Sequence, residues 1–249
     1  MTKILLFDVD GTIAESGKKI SPEMKELLAS LKQENGFELG IVGGGTFEKI
    51  SYQLNGLNVK YIFSECGCCY HKLDDNGDMK CIYEKKIHNH EIFGWVEQII
   101  RMALHFIIHK VSTPISGHFV DIRKGLVYIS LIGMQADDEQ RKAFKNIDEI
   151  KNLRQELIQE IQNSLPHSFQ QKIDVKIGGS TGITIIPAEW NKEQVMNVRE
   201  ITEYNEIYYF GDKYEKDGND YELLFHRDVI GVPVQTIENT IAFLKKLKK

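Results

Sequence analysis

Asp8 and Asp10 stand one residue apart at the end of the apolar run Leu5-Leu6-Phe7, and Gly11 and Thr12 follow at once. Apolar runs of this length read as central strands of an α/β sheet, where ligands collect at the carboxyl ends. Alternate residues of a strand share a face, so the two carboxylates are placed to converge on one point. Unpartnered, they would repel; a divalent cation between them removes the conflict and draws in phosphate oxygens. One carboxylate is then a candidate nucleophile and the other a candidate acid/base. An acidic turn after a strand uses the same residues without chemistry, and only further polar groups at neighbouring strand ends separate the two.

Such groups recur twice. Residues 37–42 are a second apolar run, and it passes into Gly43-Gly44-Gly45-Thr46 with a helix expected from about Phe47. Glycines between strand and helix bare backbone N–H groups and the helix adds its positive end, both of which favour phosphate; a plain βα turn is the alternative. Residues 207–210 run into Gly211-Asp212-Lys213. Parallel strand ends gather in space, which sets Asp212 beside the first pair as a third carboxylate. Asp8, Asp212 and a backbone carbonyl make a hard-cation site suited to Mg²⁺ with several waters kept. Lys192, near the start of a helical stretch over 191–201, is a candidate for neutralising charge on a nucleophile and a phosphoryl group, against an ordinary surface lysine. Cysteines at 66, 68, 69 and 81 lack the paired C-x2-C spacing of a zinc site, and reduced thiols are the simpler account.

The elements that must position these residues begin with a βα rhythm. Ser21-Pro22-Glu23 is a helix start, with a capping serine, proline at the first helical position and an acid in the first turn. Met24, Leu27, Leu28 and Leu31 recur at helical spacing, and the helix is expected to end near Asn35-Gly36. A third strand is expected over 61–65 and a hairpin turn at Asp74-Asp75-Asn76-Gly77-Asp78. The pattern then changes to a long apolar helix over 90–110, strand-like runs 119–123 and 126–132, a second long helix over about 139–165, and strands 173–177 and 182–186. That order is an α+β signature, so residues 85–187 are expected to form a domain inserted into a core built from 1–84 and 188–249. After Pro187 the βα rhythm returns, with a polar turn Asp217-Gly218-Asn219-Asp220, a short strand over 229–234 and a closing helix over 240–247 that ends in solvated lysines. The fold class is α/β: a Rossmann-like core with a parallel sheet plus an inserted α+β domain.

Composition excludes several classes. The 249 residues are 42% hydrophobic and 27% charged with a net charge of −5, leaving no basic excess for nucleic acid. No apolar run reaches the length of a membrane span, and the chain enters its first strand almost at once, without room for a signal peptide. A cytosolic protein is the expectation.

The words Leu6–Thr12 (LFDVDGT), Val42-Gly43-Gly44, Phe47-Glu48-Lys49, Phe119–Gly125, Lys176–Gly179, Pro187–Lys192 around Trp190, Tyr209–Lys213 (YFGDK) and Gly218–Glu222 (GNDYE) resemble eukaryotic-type phosphomannomutase, within the haloacid dehalogenase-like superfamily. The resemblance covers nearly the whole chain. It implies Asp8 as nucleophile carrying the phosphoryl group, Asp10 as general acid/base, Lys192 beside them, and Mg²⁺ held by Asp8, Asp10 and Asp212. It makes the inserted domain a cap that grips a second phosphate. It further implies a hexose phosphate substrate, a hexose bisphosphate activator and a homodimer formed through the cap. Substrate positions carried over by the resemblance are Gly44, Thr46, Arg123, Arg141, Gly182 and Thr184. Several differ from the family's residues: its arginines fall on Gly17 and Met134, its phosphate-binding serine on Gly45, and its sugar-holding serine and aspartate on Gly182 and Thr184. Arginine grips phosphate by its bidentate fork, so these departures bear on sugar recognition more than on phosphoryl chemistry. Three functions stay open on the sequence: a phosphohexomutase acting on mannose phosphates, a sugar-phosphate phosphatase on the same scaffold, and a non-catalytic binding descendant.

Overall fold

The computed structural model describes residues 2–216 and 218–248. The chain divides into two compact units, one of residues up to Lys85 together with those from Trp190 onward, the other Lys86–Glu189. In chain order the first unit opens with β1 (Lys3–Phe7), α1 (Pro22–Asn35), β2 (Phe37–Val42), α2 (Phe47–Leu54), β3 (Tyr61–Ser64), β4 (Cys69–Leu73) and β5 (Met79–Glu84). The second unit holds α3 (Phe93–Lys110), β6 (Val120–Ile122), β7 (Val127–Ser130), α4 (Asp138–Lys151), α5 (Leu153–Ser164), α6 (His167–Gln170), β8 (Ile173–Gly178) and β9 (Gly182–Pro187). The chain then returns to the first unit with α7 (Arg199–Thr202), β10 (Glu206–Gly211), α8 (Tyr221–Leu224), β11 (Ile230–Pro233) and α9 (Ile237–Leu247).

The first unit is a seven-stranded sheet in the order β11-β10-β1-β2-β3-β4-β5. Its strands run parallel from β11 to β3, and β4 and β5 close it antiparallel. β1 lies inside, covered on both faces: Leu5 and Phe7 join one apolar cluster with Met24, Leu28 and Leu244, while Ile4 and Leu6 join the other with Tyr209 and Val195. That explains an unbroken apolar run where a half-exposed strand would alternate. α1 has the ends expected of it: Ser21 Oγ accepts from Met24 N, and Gly36 closes the helix at φ 70°. At the end of β3, Glu65 and Cys66 adopt left-handed backbone at φ 50° and 61°. Their N–H groups donate to Gly45 and Gly43 carbonyls, so the glycine loop is tied to this turn.

The second unit is an antiparallel sheet, β6-β7-β9-β8, whose buried residues Val127, Ile129, Ile183, Ile185 and Val175 pack towards α3 and α5. The apolar helix expected over 90–110 starts later, at Phe93, after a short 3-10 turn at Ile87–Asn89. The second long helix is two: Asn152 turns left-handed at φ 53°, and Asp148 takes Arg154 Nε at 2.6 Å across the break. The stretch over 191–201 is likewise a 3-10 segment, Lys192–Asn197, followed by α7. Of the polar turn expected at 217–220, Asp217 lies outside the described residues, as does Lys249 of the terminal lysines. Among the described residues no helix is long and apolar enough to cross a membrane.

Candidate active site

β1 ends at Phe7, and Asp8 continues its ladder by one bond, its N–H donating to Phe210 O at 2.9 Å on β10. This sets the Asp8 side chain at the carboxyl end of the central strands. β10 ends one residue before Asp212, and the chain folds back so that Asp220 N donates to Lys213 O and Lys213 N to Asp220 Oδ2. One ligand oxygen each from Asp8, Asp212 and Asp220 lies within 4.8 Å of the others. Gly11 makes the approach possible: it sits at φ 91°, and a Cβ there would meet Asp212 Oδ2 at 2.6 Å.

Lys192 enters this cluster from the 3-10 segment and is fully buried. Its ammonium donates to Asp8 Oδ1 and to Asp220 Oδ1, each at 2.6 Å, and lies 3.3 Å from Tyr209 Oη. The Tyr209 hydroxyl donates to the same Asp220 oxygen. The segment is pinned from below by Gln194, whose Nε2 donates to Cys66 O and Trp190 O at 2.8 Å, and whose Oε1 accepts from Lys85 Nζ at 2.6 Å. Buried charge is tolerated only when paired and hydrogen-bonded, and Lys192 meets both conditions.

Three acids nevertheless share one buried cation. Burial pushes Asp8 up to about 7 against the opposing pull of Lys192, and the charges of Asp220 and Asp212 add to the rise. Burial likewise raises Asp212, although Lys213 pairs with its Oδ2. Burial works the same way on Asp220 but is outweighed by Lys192 and by donors from Tyr209 and Lys213, so Asp220 stays below the usual carboxylate range. Asp212 Oδ1 is buried with no hydrogen-bond partner among the described residues. An orphaned carboxylate oxygen beside a second raised carboxylate is a site deficient in positive charge, and hard oxygen donors fit Mg²⁺.

Asp10 is placed differently from the convergence expected of it. Its carboxylate is not in the cluster; it accepts from Lys49 Nζ, from Gln53 Nε2 at 2.7 Å and from Gly17 N at 3.0 Å. Strand alternation stops applying because β1 has ended: Val9 O takes the N–H groups of Thr12, Ile13 and Ala14, so Asp10 lies in a tight turn. The third carboxylate near Asp8 and Asp212 is Asp220 instead. Gly44 faces Asn219, and a Cβ at position 44 would lie 3.6 Å from Asn219 Nδ2. Thr46 caps α2 by accepting from Lys49 N at 3.3 Å.

Within the second unit, Asp121, Tyr128, Thr184 and Lys176 form one cross-strand row through β6, β7, β9 and β8. Arg123 pairs with Asp121 at 2.6 Å, and its guanidinium lies 5.3 Å from the Tyr128 ring centre. Gly182 is shaped by the same tyrosine, since a Cβ there would meet Ile129 O at 2.3 Å and Tyr128 Oη at 2.7 Å. Arg141 is tied to its own turn, donating to Ala136 O at 2.8 Å, Met134 O at 2.9 Å and Ser180 Oγ at 3.3 Å. The sequence by itself assigns no role to Asp220, Tyr209, Lys49 or Gln53; Asp220 lies within the GNDYE word, Tyr209 within YFGDK and Lys49 within Phe47-Glu48-Lys49, and these words are the available signals.

A family model described as eukaryotic phosphomannomutase matches residues 24–249. The chain is 32% identical over 248 residues to a phosphomannomutase of Arabidopsis thaliana, covering 98% of this chain and 96% of that protein. It is 30% identical over 257 residues to a phosphomannomutase of Schizosaccharomyces pombe, covering 98% and 93%. Among solved structures, an IMP-bound, N-terminally truncated IMP-nucleotidase of Plasmodium falciparum superposes with a TM-score of 0.63 at 14% identity, over 99% of this chain and 68% of that one. A trehalose-6-phosphate phosphatase related protein superposes with a TM-score of 0.52 at 18% identity, over 99% and 97%. At these identities the likeness is one of fold alone, an α/β core built on a mostly parallel sheet.

Proposed function

The chain belongs to the eukaryotic phosphomannomutase family, and on that premise we propose that it interconverts mannose 6-phosphate and mannose 1-phosphate through a phosphoryl group carried on Asp8. The observation that carries the reading is the buried set of Asp8, Lys192, Asp212 and Asp220 at the carboxyl end of β1 and β10. Lys192 holds Asp8 Oδ1, which leaves Oδ2 to attack phosphorus, and the ammonium offsets charge as the phosphoryl group arrives. Asp8 and Asp212, with a backbone carbonyl of the turn, would hold Mg²⁺. When bound, that ion supplies neutralisation of the phosphoryl oxygens. Asp10 takes and returns the proton of the sugar hydroxyl. A hexose bisphosphate supplies the first phosphoryl group, and Arg123 and Arg141 are the side chains suited to the second phosphate. The second unit is, on this reading, the cap that keeps water from the phosphoenzyme, and the surface through which two copies pair.

The test is one assay with mannose 1-phosphate, Mg²⁺ and a trace of hexose bisphosphate, following mannose 6-phosphate and free phosphate together. Formation of the 6-phosphate in excess of free phosphate is the expected result. Free phosphate without isomerisation would make the chain a sugar-phosphate phosphatase, a reading favoured by Gly182, which leaves no side chain where the family holds the sugar, and by Arg141, already engaged with its own turn.

Cation binding carries a sign. Burial raises Asp8 to about 7 in the metal-free protein, so below that pH a proton occupies the carboxylate and must leave when the ion binds. Mg²⁺ affinity, measured by calorimetry, is expected to tighten as pH rises through about 7 and to release protons on the acid side. Affinity that is flat from about pH 6 to pH 8 would remove Asp8 from the ligand set.

A further inference from the structure

Asp10, the acid of the opening motif that the cluster leaves out, is gripped from three sides. Lys49 Nζ reaches Oδ2, while Gln53 Nε2 and Gly17 N both donate to Oδ1. Lys49 and Gln53 stand one turn apart on α2 and so share a face. Gln53 is buried and has a second acceptor in Lys18 O at 3.3 Å, which fixes it in place; Lys49 is half-exposed and has room to move. Both oxygens of Asp10 are thus engaged by α2 and by the turn at Gly17, apart from the cluster of Asp8, Asp212 and Asp220.

Lys49 reaches Asp10 across Gly45. A Cβ at position 45 would sit 3.1 Å from Lys49 Cδ, tight against the stem that crosses it. The glycine leaves that stem uncrowded, where a side chain would make it give by a few tenths of an ångström. Lys49 stands in the first turn of α2 with its ammonium on Asp10 Oδ2, and a phosphate arriving at the glycine loop would compete for it.

We propose that Lys49 is a positioning residue that holds Asp10 aside until a phosphorylated sugar at the glycine loop draws the ammonium away, so that the phosphoryl group on Asp8 is not passed to water. The proposal rests on the phosphoryl-transfer reading above. In the suppressed reaction a water oxygen bonds to phosphorus as the bond from phosphorus to Asp8 breaks. The water proton passes to the Asp10 carboxylate, leaving the Asp8 carboxylate and inorganic phosphate. In the productive reaction the sugar hydroxyl takes the place of water. A phosphate dianion competes for Lys49 better than a single carboxylate does, so the arrival of substrate both supplies the acceptor and frees the base.

The experiment loads the full chain with the phosphoryl group of a hexose bisphosphate in Mg²⁺ and measures phosphate release without sugar monophosphate. Lys49→Met, which keeps the stem and removes the charge, is expected to release phosphate about fivefold faster, a change of about 1 kcal/mol in barrier. Gly45→Ser, which crowds the stem, is expected to shift release in the same direction, and Lys49→Arg to bring it back towards wild type. Release in Lys49→Met within about twofold of wild type would overturn the proposal. So would equal acceleration by Lys49→Met and Lys49→Arg, which would make Lys49 a structural residue only. Absence of any phosphoenzyme in the wild type overturns the phosphoryl-transfer reading together with this one; a phosphoenzyme whose hydrolysis ignores Lys49 overturns this one alone.

Discussion

Replacing Asp8 by asparagine is expected to lower phosphoryl turnover by at least about 10⁴-fold, because no neighbouring oxygen can take over as nucleophile. Asp212 and Asp220 are the other acids of the cluster, but Asp220 spends both oxygens on Lys192, Tyr209 and Lys213 N, and Asp212 is paired with Lys213. The same variant is expected to keep or slightly raise the thermal midpoint of the metal-free protein. Asparagine is isosteric, and burial already disfavours the ionised form of Asp8 by raising its pKa to about 7. Added Mg²⁺ would then stabilise the variant less than the wild type. The two readouts together separate a lost nucleophile from a lost fold: a collapse in midpoint alongside activity would assign Asp8 to structure.

Lys192→Met is expected to do the opposite, losing stability and activity together. The lysine is fully buried between Asp8 and Asp220, and its removal leaves Asp220 ionised in a dry site with only Tyr209 and a backbone N–H as donors. Removing one partner of a buried pair costs about 3–5 kcal/mol, which for a chain of this size is roughly 10 °C of midpoint. A second substitution tests the cause. Lys192→Met combined with Asp220→Leu takes away the stranded charge as well, and is expected to be less destabilised than Lys192→Met alone. A loss below about 1 kcal/mol in the single variant would mean that the ion pair is replaced at little cost by protonation or water.

Much of the framework is legible in local pattern. β1 and β2 are apolar runs because both of their faces are covered, and α1 announces its ends through Ser21 and Gly36. The second long helix is misread as continuous because apolar spacing persists across Asn152; the break lies in one residue's left-handed backbone and in the Asp148–Arg154 pair that stabilises it. For the site, Asp8 and Asp212 can be placed from the strands that precede them. Asp220 cannot, since its partner Lys192 lies 28 residues away and Asp8 a further 184. Asp10 shows the limit of periodicity: alternation predicts convergence only while the strand lasts, and β1 stops at Phe7. Its true partners, Lys49 and Gln53, are set by the packing of α2 beside the turn, which no spacing within the motif encodes.

The sheet order has a consequence for synthesis. β1 is hydrogen-bonded to β2 on one side and to β10 on the other, and β10 spans Glu206–Gly211. On a ribosome, the strand bearing the nucleophile emerges first and waits for some two hundred residues, the entire second unit included, before its second neighbour exists. For that interval one edge of Ile4, Leu5 and Leu6 stands unpaired, the kind of edge that recruits other chains. The second unit, contiguous in sequence, is under no such delay. Nascent chains that end before residue 206 are therefore expected to carry that edge open.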